Sequence, residues 1–264
     1  MCRFDPIASI IHNHGGTLPT LWKITLEILR QRQNQPPYVE SFELEVDPDE
    51  NVLDCIERVW AFHDRSLTFR HACHHSTCGA CGMRVNGVEK LTCITPVREV
   101  THPNGVLRIE PLRNFPVLSD LVVDVSGFFQ RMEQTQLSSI APLSQAKLPF
   151  EPNPPTIWQG QRLIDCIECG LCVSACPAAN TSTSYFGPAV LAAAQHVYRQ
   201  TNNPTVMQLV NCADGLWRCH SAYECSAVCP SNVDPAWRIM DMRRATVAHS
   251  LRNIFKRPNQ KVAP

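Results

Sequence analysis

The sequence predicts an α+β chain in two parts, an N-terminal domain of strands around one helix and a C-terminal domain that is mainly helical. Three observations predict this. Most of the fourteen cysteines fall into two groups, residues 73–93 and 166–229. Apolar residues nearly alternate at Leu21–Leu29 and Tyr38–Val46, whereas the second half carries apolar runs of helical character. Between the groups, residues 142–157 hold five prolines in sixteen positions, which neither a helix interior nor a central strand tolerates. The expected layout is an extension at 1–20, a first domain at 21–141, a linker at 142–157 and a second domain at 158–264.

In chain order, the two alternating segments flank Gln33-Asn34-Gln35-Pro36-Pro37 and read as a hairpin-like strand pair. Asp47-Pro48-Asp49-Glu50-Asn51 is a turn with N-cap candidates. Val52, Leu53, Ile56, Val59 and Trp60 then follow at the spacing of an amphipathic helix. The first cysteine group occupies a loop, and Val106–Ile109 reads as a short strand. Beyond the linker, Gly187-Pro188 opens an Ala-rich helix to about Arg199, and a second long helix runs from Pro235 to about Phe255.

With 24 basic and 24 acidic residues the formal net charge is zero, which removes the electrostatic basis for nucleic-acid binding. No run approaches the roughly 18 apolar residues needed to span a bilayer, so any membrane association is expected through a partner or through surface contact. Met1-Cys2-Arg3-Phe4-Asp5-Pro6 lacks the apolar stretch of a secretory signal and the Arg- and Ser-rich character of a transit peptide. In a reducing compartment, fourteen cysteines point to metal ligation rather than disulfides.

Cys73, Cys78 and Cys81, followed by Cys93, match the Cys-x4-Cys-x2-Cys…Cys spacing of plant-type [2Fe–2S] ferredoxins. Three thiolates come from one tight loop and the fourth from across it. Gly79 and Gly82 suit such a loop by permitting positive φ and close backbone approach. A zinc ribbon normally uses paired Cys-x2-Cys motifs instead. A Rieske-type centre would enlist His74 and His75, but four suitably spaced cysteines make histidine ligands unnecessary. The first domain is therefore expected to be a β-grasp plant-type ferredoxin domain.

The second group begins with a complete bacterial ferredoxin run, Cys166, Cys169, Cys172 and Cys176 with Pro177. Its partner run is Cys219, Cys225 and Cys229 with Pro230, and Ala222 stands where the register calls for a cysteine. In two-cluster ferredoxins the fourth cysteine of each run ligates the other cluster. Cys166, Cys169, Cys172 and Cys229 then hold a [4Fe–4S] cubane. Cys176, Cys219 and Cys225 hold a centre with one corner unligated, and such a corner loses its iron to leave [3Fe–4S]. The alternative, with Cys212 or an oxygen ligand at that corner, places Cys212 outside the register. The second domain is expected to be an all-α bacterial-type ferredoxin domain.

This combination resembles the iron–sulfur subunit of succinate dehydrogenases and fumarate reductases over about residues 22–250. Cys93-Ile94-Thr95-Pro96, Ile109-Glu110-Pro111-Leu112, Asp120-Leu121-Val122-Val123-Asp124 and Cys229-Pro230 are similar to that family's own strings. The resemblance implies docking on a flavoprotein that carries FAD and the dicarboxylate site. It also implies an anchor on the cytoplasmic face of the membrane that binds quinone and often haem b. The implied route is flavin, [2Fe–2S], [4Fe–4S], [3Fe–4S], quinone, with no dehydrogenase activity in this chain alone. Pro177 and His220 match two of the family's quinone-site positions; for His220, a purely structural hydrogen bond is an equal reading. The family's tryptophan after Cys-Pro is missing from Ala178-Ala179-Asn180-Thr181-Ser182-Thr183, which puts the usual ubiquinone pocket in doubt and raises menaquinone as an alternative.

Three cysteines stand outside these ligand sets. Cys55 and Cys212 are expected to be small core residues, and Cys2 has no assigned role. Trp217 is expected to shield a cluster from solvent. The stretch Arg238–Lys261 holds seven basic residues against Asp241 and reads as a solvated helix face or a contact for lipid headgroups. Two other functions compete. A cluster-based sensor lacks any accompanying DNA- or partner-binding motif. An iron–sulfur subunit of glycerol-3-phosphate or glycolate dehydrogenases typically has two complete cubane runs and no [2Fe–2S] domain. Potentials depend on burial and hydrogen bonding, so the direction of catalysis stays open between succinate oxidation and fumarate reduction.

Overall fold

The computed structural model describes residues 20–32, 35–135, 163 and 165–255. The expected linker, Cys2 and nearly all of the expected N-terminal extension lie outside the described residues.

Strands β1 (Trp22–Arg30) and β2 (Tyr38–Val46) pair antiparallel over their full length, from Trp22 with Val46 to Arg30 with Tyr38. Strands β3 (Gly82–Val85), β4 (Val88–Leu91) and β5 (Val106–Glu110) complete a five-stranded sheet in the order β2-β1-β5-β3-β4. Strands β1 and β5 run parallel. The β3–β4 connection is Asn86-Gly87, with φ of 48° and 84°, the conformation a tight hairpin demands.

Helix α1 (Val52–Arg58), extended by one wider turn at Val59–His63, packs against the sheet. Its start is fixed by Asp54, whose carboxylate accepts the Asn51 N–H at 3.0 Å. Val52, Cys55, Ile56 and Val59 pack on Ile24, Leu26, Ile28, Leu107 and Ile109, all buried. Each such side chain contributes about 1.5–3 kcal/mol through loss of apolar surface. Arg30 continues the inward alternation of β1 and is therefore fully buried. It pairs with Asp120 at 3.0 Å, Asp64 at 2.6 Å and Glu40 at 2.5 Å, so the charge is neutralised where the pleat forces it inside.

A short ladder of β6 (Val117–Ser119) and β7 (Val122–Val123) leads into α2 (Ser126–Gln134). The second half is helical: α3 (Leu171–Ser174), α4 (Pro188–Thr201), α5 (Pro204–Val210), α6 (Glu224–Ala227) and α7 (Pro235–Phe255). Helix α4 is buried on all sides from Pro188 to Gln195, which explains its small apolar residues: neighbouring helices approach it closely. It meets α7 through the buried Arg238, whose guanidinium donates to Gln195 Oε1 at 2.9 Å, and through Arg199 and Asp241.

The halves share one core. Leu53, Leu91, Leu112, Phe115 and Phe128 from the first half pack with Leu171, Val173, Val190 and Ala193 from the second. Asn114 crosses between them, its side-chain amide donating to the carbonyls of Val173 at 2.8 Å, Ser174 at 3.1 Å and Cys176 at 3.1 Å. These bonds satisfy carbonyls that the short helix α3 leaves free.

Candidate metal centres

Three thiol-lined sites emerge, each built on backbone turns that present several sulfurs to one point. In the first, Cys73 and Cys78 come from the loop before β3, Cys81 from its end and Cys93 from the turn after β4. The Cys73 sulfur accepts backbone N–H groups from His75 at 3.4 Å, Cys78 at 3.4 Å and Thr77 at 3.3 Å. These bonds bring its thiol down to about 6, so it ionises readily. Cys93 is buried and pushed up to about 11 by desolvation, and its thiol contacts that of Cys81. Positive φ at His74, Ser76 and Gly79 curls the loop so that its amides face inward. Gly82 differs from expectation. It opens β3 without positive φ, and its value lies in space, since an added Cβ would stand 3.1 Å from Leu171.

The second and third sites repeat one design. Glu168 and Gly170 have positive φ just before α3, and Ser221 and Tyr223 have positive φ just before α6. The turns correspond position for position, which puts Ala222 opposite Cys169. Gly170 adopts its φ of 75° without strain, whereas Tyr223 at 65° carries a cost of roughly 1–2 kcal/mol. One cavity is lined by Cys166, Cys169, Cys172 and Cys229. The other is lined by Cys176, Cys219 and Cys225, with Ala222, His220 and Pro177 on its wall. Each cavity therefore takes its last cysteine from the opposite run.

Burial raises the thiols of Cys166, Cys172 and Cys176 and pushes those of Cys169 and Cys225 up to about 12. Several thiolates packed this tightly repel one another and are stable only around compensating cations. All-sulfur donor sets in apolar cavities suit iron–sulfur clusters, so the residues present fit these groups. Backbone amides support the same sulfurs, Ser221 N–H bonding Cys219 at 3.4 Å and Val233 N–H bonding Cys229 at 3.3 Å.

The remaining expectations divide. Cys55 is buried, as expected for a core residue. Cys212 is exposed and lines neither cavity, because its turn after α5 points outward. Trp217 is 48% exposed rather than shielding a centre; its indole N–H bonds Asn211 at 2.8 Å and Arg243 stacks over the ring. His74 and His75 are exposed. In the C-terminal basic stretch, Arg238 is buried, and Arg243 donates to the carbonyls of Leu216 and Cys219, pinning the third site. Those two charges are structural, and Lys256, Arg257 and Lys261 lie outside the described residues. Sequence reasoning gave no role to Tyr185. Its buried hydroxyl faces the third cavity with no partner among the described residues, and desolvation pushes the phenol up.

A family model described as a 2Fe-2S iron-sulfur cluster binding domain matches residues 25–130, and one described as a 4Fe-4S dicluster domain matches residues 162–233. The chain is 30% identical over 242 residues to the fumarate reductase iron-sulfur subunit of Mycobacterium tuberculosis (strain CDC 1551 / Oshkosh), covering 88% of this chain and 96% of that one. It is 30% identical over 223 residues to the mitochondrial succinate dehydrogenase [ubiquinone] iron-sulfur subunit 2 of Oryza sativa subsp. japonica, covering 78% and 68%. A chain of the Mycobacterium smegmatis Sdh1 complex in the apo form shares the fold with a TM-score of 0.73 at 23% identity, over 88% of this chain and 98% of that one.

Proposed function

The chain belongs to the family of fumarate reductase and succinate dehydrogenase iron–sulfur subunits, and from that premise we propose that it carries electrons between a flavoprotein and a membrane quinone in succinate:quinone oxidoreduction. The proposed ligands are Cys73, Cys78, Cys81 and Cys93 for [2Fe–2S], Cys166, Cys169, Cys172 and Cys229 for [4Fe–4S], and Cys176, Cys219 and Cys225 for [3Fe–4S]. When bound, the clusters supply a relay for single electrons. The protein's part is to bring the sulfurs together, to orient amides toward them and to exclude water, while the bound irons would supply the positive charge that stabilises the thiolates. The contact between the Gly79 and Cys169 loops supports a short path between the first two centres, an added Cβ at Gly79 standing 2.7 Å from the Cys169 Cβ.

The observation that carries this reading is the third cavity, in which Ala222 occupies the place of a fourth cysteine. No helix among the described residues is long and apolar enough to cross a membrane. Attachment to the cytoplasmic face is therefore proposed to come from an anchor subunit, with quinone and possible haem b in that partner. The exposed Tyr223 on the wall of the third cavity, with the exposed Trp217 two residues before Cys219, supports an anchor or quinone contact there. The opposite direction, quinol to fumarate, is the second reading, favoured by the name of the mycobacterial relative; assays of both directions with ubiquinone and menaquinone analogues separate the two.

Two measurements test the proposal. In an EPR titration of the purified complex, a three-iron signal is expected in the oxidised state, with [2Fe–2S] and [4Fe–4S] signals on reduction. Zinc with little iron, or two ordinary cubanes, refutes the register. His220→Leu is expected to lower quinone-coupled turnover at least tenfold while leaving turnover with an artificial flavin-site acceptor near normal. Equal loss in both assays assigns His220 a structural role.

A further inference from the structure

We propose that Glu57, His71 and His74 form a binding site for a divalent transition-metal ion, Zn²⁺ foremost, beside the [2Fe–2S] loop and separate from the three cysteine sites. Glu57 lies on α1, His71 on the approach to the loop, and His74 immediately after Cys73. Glu57 Oε1 stands 3.1 Å from His71 Nδ1 and 3.3 Å from His74 Nε2, and the two nitrogens are 3.2 Å apart. These three edges nearly equal the edge of about 3.3 Å expected for a tetrahedron of ligands at roughly 2.0–2.1 Å around zinc. The three donor atoms thus occupy three corners of such a tetrahedron, with the fourth open to water or to a partner's ligand.

The arrangement is held in place. His71 stacks on Phe69 with ring centroids 5.1 Å apart and planes 19° apart, which fixes its tilt. His74 has a φ of 56°, an uncommon conformation for a histidine that brings its ring back toward α1. Glu57 Oε1 is buried yet accepts no well-aligned hydrogen bond from either ring among the described residues. Pairwise hydrogen bonding would align each N–H with the oxygen. Neither ring N–H is so aligned: among the described residues the rings hydrogen-bond each other, His71 Nδ1 to His74 Nε2 at 3.2 Å, and the buried Glu57 Oε1 beside them is left without a hydrogen bond. Two imidazoles and one carboxylate form a donor set that suits zinc and neighbouring ions and disfavours calcium and magnesium. A bound dication one residue from Cys73 would favour the reduced [2Fe–2S] state electrostatically.

The test is an anaerobic Co²⁺ titration of the full chain with its clusters assembled, after chelator treatment that leaves the iron content unchanged. Expected are one equivalent of Co²⁺ with tetrahedral-type difference bands, its displacement by Zn²⁺, and faster relaxation of the reduced [2Fe–2S] EPR signal. Glu57→Gln keeps a hydrogen-bond acceptor but removes the anionic ligand, and should weaken Co²⁺ binding at least tenfold. Unchanged affinity in Glu57→Gln, or bound cobalt that leaves the [2Fe–2S] relaxation untouched, overturns the proposal in favour of a shared hydrogen bond. Should Glu57→Gln fail to assemble, the wild-type titration decides alone: absence of a stoichiometric cobalt site that perturbs the EPR signal refutes it.

Discussion

Ala222→Cys is expected to convert the proposed three-iron centre into a second complete cubane. Ala222 lines the cavity of Cys176, Cys219 and Cys225, on a turn that matches the one carrying Cys169. A thiolate there restores the missing fourth ligand without altering the backbone. Cluster type is a principal determinant of potential, so the centre should fall by on the order of 100 mV or more, toward ordinary cubanes. The oxidised three-iron EPR signal should vanish, iron should rise by one atom per chain, and quinone reduction should slow while flavin-side turnover persists. Persistence of the three-iron signal in a folded, fully loaded variant would refute this cysteine register.

The second large effect is expected at Gly79. Its φ is 70°, and an added Cβ would stand 2.7 Å from Cys169 Cβ and 2.8 Å from Cys169 Cα. Since the opposing atoms include backbone, the contact cannot relax by a rotamer change. Gly79→Ala should cost about 1–2 kcal/mol for the left-handed conformation and a further 1–3 kcal/mol for overlap. For a chain of this size that corresponds to a drop in Tm of roughly 4–20 °C. The displaced loop should also slow electron transfer between the first two centres, measurable by rapid-mixing EPR. Gly82→Ala is the control. Its Cβ would meet the end of the Leu171 side chain at 3.1 Å, and its φ is not positive. It should cost much less, and equal losses at both positions would show that contact with the Cys169 backbone is not what matters.

Much of the architecture is legible locally. β1 and β2 follow from alternation, and α1 from its turn and apolar spacing. Helices α4 and α7 follow from the prolines that open them. The β3–β4 hairpin is signalled only by Asn86-Gly87, because its strands are four residues each and lie within the span of the cysteine motif, too short to show alternation. The short helices α3 and α6 had no periodicity to detect, at four residues each. Their existence depends on the left-handed turns before them and on carbonyl partners from elsewhere, such as Asn114.

The sequence by itself determined the cysteine spacing, including the gap at Ala222, because the cysteines proposed for one centre lie largely on one turn and turn geometry is written in residue spacing. It also determined the two-part composition of strands followed by helices. Tertiary structure alone decided which surfaces are covered. It exposed Cys212 and Trp217, buried Arg30 and Arg238 with their partners, and set the Gly79 loop on Cys169. It also converged Glu57, His71 and His74 from a helix and a separate loop. Spacing encodes what the chain does within a turn or two, whereas burial and convergence depend on segments far apart in sequence, whose meeting is fixed only when the core packs.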